Sequence, residues 1–205
     1  MLEPALMSYI AIMSITPGPN NLMLAASGVR FGMRRTMPHI LGISIGAGVQ
    51  AGLTAVLLAA LLEKLTRFRL ALAVAGCVYL LWFSWKMARS AGPGEAKENR
   101  PMGFLGAALF QWINPKAWMM AINAAILFLP ASGIGRERYA GLMTLTFVLI
   151  NLPCVSLWAL TGDRLRRTLS SPRALMAFNL VMAGLMAGTA LYLLVDEMRG
   201  LALFS

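Results

Sequence analysis

Residues 14–21 read SITPGPNN and lie near the middle of an apolar stretch, Pro4–Val29, that contains no Asp, Glu, Lys or Arg. Pro17 and Pro19 lack the backbone N–H that a helix interior needs, and each ring clashes with the carbonyl one turn earlier. Gly18 between them has little preference for helix. The stretch therefore predicts an apolar helix that is interrupted at its centre, with Pro19 as the first residue of the second half.

A second stretch has the same character. Residues 111–118 read QWINPKAW within another apolar segment, and Pro115 leaves the carbonyl of Gln111 without its helical partner. The tripeptides 16–18 and 114–116 align at an offset of 98 residues. Single proline kinks are common in membrane helices, but paired interruptions at matching positions indicate a substrate site between two broken helices.

The composition is that of a membrane protein. Of 205 residues, 59% are hydrophobic and 13% are charged, against about 45–50% apolar and about 25% charged in soluble domains. A chain of this size cannot bury such an excess, because small domains expose much of their surface. This excludes an ordinary soluble enzyme and a disordered chain. Two cysteines and one histidine also argue against a disulfide scaffold, a metal centre or another bound cofactor.

Six apolar stretches remain when two that are separated only by Lys116 are joined, and a membrane-spanning helix needs about 20 such residues. They are Pro4–Val29, Met37–Leu62, Leu70–Trp85, Pro101–Gly135, Tyr139–Gly162 and Ala174–Val195. A polar linker, 90–100, separates residues 1–89 from residues 101–205, with three spans in each half. Because three is odd, halves of the same fold must be inverted in the membrane. We expect an all-α membrane protein built from two inverted three-helix repeats, with helices 1 and 4 broken at mid-membrane. The alternative is a six-helix bundle without internal symmetry.

The net charge of +10 indicates membrane topology rather than nucleic-acid binding. Eleven of the 18 Lys and Arg fall in the loops after spans one, three and five, and six fall on the opposite side. Cytoplasmic loops collect basic residues, so both termini are expected outside the cytoplasm.

Lys116 is the one ionisable residue deep in a predicted span. A central Lys costs about 2.5–3.5 kcal/mol on insertion scales, so we expect it to face the interior and to meet an anion. An amino acid fits such a site, because its carboxylate would meet Lys116 and the half-helix N-terminus at Pro19. Its ammonium would meet the freed carbonyls and the Asn side chains. No Asp or Glu lies inside a predicted span, which favours a neutral amino acid.

The candidate substrate-binding residues share a place on the broken helices or a polar side chain inside a neighbouring span. They are Thr16, Pro17, Gly18, Pro19, Asn20, Asn21, Gln111, Asn114, Pro115, Lys116, Gln50 and Asn151. Gln50 and Asn151 either line the cavity or only form hydrogen bonds between helices.

The runs Ile15–Asn21 and Phe110–Ala117, together with the basic loop Gly32–Arg35, resemble the LysE/RhtB family of amino-acid exporters. The resemblance extends over the whole chain. It implies export of amino acids or related metabolites from the bacterial cytoplasm across the inner membrane, driven by protons. The sequence is most similar to the branch with neutral substrates, which include threonine, homoserine, cysteine and O-acetylserine. We expect alternating access around the central site, with Lys116 and Asp163 as candidates for the proton step.

Two other functions stay open at this point. A membrane thiol–disulfide electron carrier needs two cysteines that can meet, but Cys77 and Cys154 lie in spans three and five, away from both interruptions in the sequence. A scaffold without transport activity leaves Lys116 unexplained. Small residues four apart, Gly42/Gly46 and Gly184/Gly188, indicate close helix packing inside the bundle, and a homodimer is also compatible with them.

Overall fold

The computed structural model describes residues 4–89, 100–128, 136–168 and 171–202. Within these ranges the chain is entirely helical, without strands. The helices are α1 (Pro4–Ile15), α2 (Pro19–Phe31), α3 (Met33–Ala88), α4 (Phe104–Phe110), α5 (Pro115–Phe128), α6 (Arg136–Thr168) and α7 (Pro172–Ala202). The expected linker at 90–100 lies outside the described residues except for Arg100.

Helix α3 contains both predicted spans two and three. A straight helix of its 56 residues would be about 84 Å long. However, a Cβ at Gly46 would lie 2.7 Å from Cα of Ala108, and the Tyr79 ring centroid lies 4.9 Å from that of Phe110. Since positions 33 residues apart in α3 reach the same end of α4, the chain reverses direction between Leu57 and Val74. We call Met33–Leu57 the first arm of α3 and Val74–Ala88 the second arm.

The two arms run in opposite directions along α4. Position 42 of the first arm abuts Phe104, and position 46 abuts Ala108, so this arm is parallel to α4. Position 76 of the second arm abuts Ile113, whereas Tyr79 meets Phe110, so that arm is antiparallel. The arms correspond to the predicted spans two and three, and the change of direction falls between them, where the loop is expected.

The packing places polar side chains inside and apolar side chains outside. Gln50, Gln111 and Asn151 are each at most 4% exposed, whereas Leu105 and Leu127 are more than 60% exposed. Soluble monomers rarely expose apolar patches of more than a few hundred Å², so the outer surface is suited to lipid. Among the described residues, three helical segments are long and apolar enough to cross a bilayer, and they are Met33–Leu57, Arg138–Arg166 and Arg173–Tyr192.

Glycines bring the helices into close contact in the interior. A Cβ at Gly42 would overlap the carbonyl oxygen of Phe104, and one at Gly28 would overlap that of Ala159 in α6. The prediction of close packing by span-two glycines is therefore confirmed. For Gly184 and Gly188 in α7 it is wrong, because a Cβ at either position would meet no described atom within 4 Å. The sequence spacing alone does not say which face of a helix the chain covers.

Candidate functional site

Both predicted interruptions are present. Helix α1 ends at Ile15 and α2 begins at Pro19, with Gly18 fully extended between them at φ −177° and ψ 179°. Helix α4 ends at Phe110 and α5 begins at Pro115. The backbone between them tightens into bonds that span three residues, such as Asn114 N–H to the carbonyl of Gln111 at 3.3 Å. The first break is an extended crossing and the second is a tight turn.

The two broken helices run antiparallel and touch at their interruptions. The phenol of Tyr9 donates to the carbonyl of Met120 at 3.4 Å. Further along the first helix, the amide of Asn20 donates to Oε1 of Gln111 at 2.9 Å. Gln111 donates back to Oδ1 of Asn20 at 3.3 Å. This reciprocal amide pair joins two residues that are 91 positions apart in the chain.

Lys116 crosses from the second break to the first. Its Nζ donates to the carbonyl of Thr16 at 2.7 Å and to that of Pro17 at 3.2 Å. A Cβ at Gly18 would lie 2.9 Å from Cδ and 3.0 Å from Nζ of Lys116, so the absence of a side chain there makes room for the lysine. Within the described residues the Lys116 ammonium thus binds backbone carbonyls in place of the expected anion. The reason is that the broken helix itself supplies free acceptors at that position.

Neighbouring side chains also donate to backbone acceptors at the first break. Asn21 donates to the carbonyls of Ser14 at 2.9 Å and Thr16 at 2.8 Å. The carbonyl of Ile15, which Pro19 cannot bond, accepts from the Trp158 indole at 3.2 Å. Buried backbone groups left without such partners in a membrane cost several kcal/mol each, so these bonds are what allows the interruption to exist.

Gln50 and Asn151 each donate a hydrogen bond to one of the two breaks. Gln50, in the first arm of α3, donates to the carbonyl of Gln111 at 3.0 Å. Asn151, in α6, donates to Oγ of Ser14 at 2.9 Å. Each therefore supports one break, and each keeps a buried side-chain oxygen without a hydrogen-bond partner among the described residues.

A small cavity lies between the breaks. Its volume is about 30 Å³, which is space for one or two water molecules rather than for an amino acid. Eight of the predicted site residues line it, namely Gly18, Pro19, Asn20, Asn21, Gln111, Asn114, Lys116 and Asn151. The rest of the wall is Met13, Ser14, Ala47, Ala117, Met120, Phe147 and Val155. No carboxylate is among these described lining residues.

The other predicted residues lie next to the cavity rather than in its wall. Thr16 and Pro17 present their carbonyls to Lys116, Pro115 begins α5, and Gln50 binds behind Gln111. Sequence reasoning missed Ser14 and Trp158. Trp158 lies seven residues after Asn151 and hence on the same face of α6, which is the signal that could have identified it.

Asp163 is not part of this cluster. It lies twelve residues beyond Asn151 in α6, about 18 Å along the helix. There its Oδ1 and Nη1 of Arg166 are each 3.1 Å from where a Cβ on Gly32 would stand. The structure thus places the two candidates for a proton step, Lys116 and Asp163, at different levels of the protein.

The cysteines are both free. Cys77 is buried among apolar residues that include Leu22 and Phe110, and Cys154 is partly buried in α6. Groups of three or more His, Cys, Asp or Glu side chains that could hold a metal ion are absent from the described part of the chain.

Comparison with known proteins gives one consistent result. The LysE type translocator family matches residues 11–197. The cysteine/O-acetylserine efflux protein of Klebsiella pneumoniae is 30% identical over 81% of this chain and 84% of its own length. The protein of that name in Salmonella typhimurium is 28% identical over 82% and 85%, and the one in Escherichia coli O1:K1 is 26% identical over 81% and 85%. No solved structure matches the chain at a significant level. The chain therefore belongs to the family of LysE type translocators, and the resemblance seen in its two proline motifs is confirmed.

Proposed function

We propose that this translocator exports a small neutral amino acid, with cysteine and O-acetylserine as the first candidates, from the bacterial cytoplasm across the inner membrane. The observation that carries the proposal is the contact between the two breaks, where a lysine ammonium meets backbone carbonyls beside a cavity whose wall includes five amide side chains. The names of the relatives supply the candidate substrates. A transporter of this kind is not an enzyme, since its substrate leaves unchanged.

The charges of the site suit an amino acid that carries one ammonium and one carboxylate. Lys116 offers a cation for the carboxylate, and the carbonyls of Thr16 and Pro17 offer acceptors for the ammonium. The side-chain oxygen of Asn151, buried beside the cavity, is a further acceptor. A lysine or arginine substrate would bring a second cation, and the described lining residues hold no carboxylate to receive it.

The proposed architecture is six membrane spans in two inverted halves, residues 1–89 and 101–205, joined by the linker 90–100. The antiparallel contact of the two broken helices supports it, as does the antiparallel course of the two arms of α3. Gln50 and Asn151 add a third argument, because each donates from the second span of its half to the break of the other half.

Transport in this proposal proceeds by alternating access, with both termini outside the cytoplasm. The two halves rock around the broken helices, so the cavity opens first inward and then outward. Protons entering the cell drive export, with Lys116 and Asp163 as the candidate groups.

The test is cysteine efflux from proteoliposomes that contain the purified full-length chain and are loaded with labelled L-cysteine under reducing conditions. We expect efflux that an imposed pH gradient accelerates. Lys116→Met should reduce it by about tenfold or more, as for other ion-pairing groups at a desolvated site. Lys86→Met is the matched control, because Lys86 lies over the ring of Trp82 away from the cavity, and it should leave efflux unchanged. Normal efflux from Lys116→Met would refute the site. Efflux of other amino acids but not of cysteine would refute the substrate assignment alone.

A further inference from the structure

The Lys116 ammonium occupies the position that the proposed substrate needs. Its two acceptors, the carbonyls of Thr16 and Pro17 at 2.7 and 3.2 Å, are the exposed acceptors that the first break offers to a cation. The carbonyl of Thr16 also accepts from Asn21 at 2.8 Å, and the carbonyls of Ser14 and Ile15 accept from Asn21 and Trp158. An incoming α-ammonium can therefore reach this carbonyl pair only where Lys116 leaves it.

The size of the cavity leads to the same conclusion. A volume of about 30 Å³ does not hold an amino acid beside the lysine in its observed position. The Lys116 ammonium lies at the end of the long flexible side chain typical of lysine. The side chains of Asn21 and Gln50, which also donate to carbonyls at the breaks, are packed and only 3% and 1% exposed. Lys116 is thus the donor that can move most readily.

We infer that Lys116 is a tethered competitor, which holds the carbonyl pair at Thr16 and Pro17 until a ligand arrives that brings a carboxylate as well as an ammonium. The inference rests on the proposed function. The ligand's ammonium takes over the two carbonyls, and the released lysine pairs with the ligand's carboxylate, so every charge in the site keeps a partner. An amine without a carboxylate displaces the lysine but gives it nothing to bind, which leaves two cations close together. Lys116 therefore selects α-amino acids against the corresponding amines.

The test compares two ligands that differ only in the carboxylate, L-cysteine and cysteamine. Their dissociation constants are measured by calorimetry on the purified chain in detergent, for wild type and two variants. In Lys116→Met the competitor is gone, so cysteamine should bind about tenfold or more tightly than to wild type, and cysteine more weakly. A lysine that merely supports the fold predicts weaker cysteine binding without any gain for cysteamine. A lysine that acts only through its charge repels cysteamine as well, so a second variant that keeps the charge is needed.

Gly18→Ala provides the second variant and keeps the charge. Its backbone is extended, a conformation that alanine adopts freely, and its methyl group would press on Cδ and Nζ of Lys116. Pushing the lysine from the carbonyls should also strengthen cysteamine binding, while cysteine keeps a cation for its carboxylate. The variant therefore separates competition from charge effects, and it decides the proposal whether or not Lys116→Met folds.

Each outcome decides the matter. A gain in cysteamine affinity in Gly18→Ala, which keeps the charge, supports the competitor, and a gain confined to Lys116→Met shows charge repulsion alone and overturns it. Unchanged or weaker cysteamine binding in both, with cysteine still bound by wild type, overturns it and leaves the proposed function standing. Failure of wild type to bind cysteine overturns the proposed substrate and the inference with it.

Discussion

The crossing of α2 and α6 leaves no room for a side chain at Gly162. A Cβ there would overlap the carbonyl oxygen of Ala25 and lie 3.0 Å from the backbone nitrogen of Val29. Backbone atoms cannot rotate away as the end of a side chain can, so in Gly162→Ala the two helices must separate. Overpacking of this kind costs about 1–3 kcal/mol. In a chain of this length that corresponds to a melting temperature lowered by about 2–12 °C.

The matched control lies in the same helix. A methyl group on Gly141 would have no described atom within 4 Å, and alanine favours helix over glycine by about 1 kcal/mol. Gly141→Ala should therefore melt at or slightly above the wild-type temperature. Both variants are compared by thermal melting of the purified chain in one detergent, and by cysteine efflux. Efflux should fall only in Gly162→Ala, because α2 begins with the site residues Pro19–Asn21. Equal melting temperatures for the two variants would refute the close crossing.

Two further predictions concern the support of the second break and the thiols. Gln50→Leu removes the donor to the carbonyl of Gln111. Because Asn114 N–H still bonds that carbonyl at 3.3 Å, the destabilisation should lie near the lower end of the about 1–3 kcal/mol for an unsatisfied buried acceptor. It should appear as a lower melting temperature together with slower efflux, and no change in either would show that Gln50 does not support the break. The double variant Cys77→Ser and Cys154→Ser should retain efflux in the same vesicle assay, whereas loss of efflux at an unchanged melting temperature would show that a thiol takes part in transport.

The backbone chemistry of proline made the two breaks predictable, but not the way in which their free acceptors are filled. That Pro17, Pro19 and Pro115 cannot donate is a local fact, and both interruptions appear where it places them. Which groups then bind the freed carbonyls depends on helices that are distant in sequence. Trp158 donates across 143 positions and Lys116 across 100, so no local pattern could have predicted them.

The spans illustrate the same division between local and tertiary information. Hydropathy identified the two arms of α3, since both are apolar. Glycine spacing marked close packing in the first arm of α3 correctly and in α7 wrongly, because Gly46 faces Ala108 while Gly184 faces no described atom. The tertiary arrangement decides which glycines pack, and a spacing of four is compatible with either outcome.

The site differs from a preformed empty pocket because the protein's own side chains bind the free carbonyls of the broken helix. A helix interruption in a membrane creates acceptors that cannot stay unpaired, so a protein without substrate must fill them with its own groups. Asn21 and Trp158 fill those of Ser14 and Ile15 through fixed side chains. Lys116 donates to the carbonyls of Thr16 and Pro17, the first of which also accepts from Asn21, through a long side chain that carries the charge of an ammonium. Under the proposed competition, binding is an exchange of one cation for another, and the ligand's carboxylate, which the lysine does not have, decides whether the exchange is favourable.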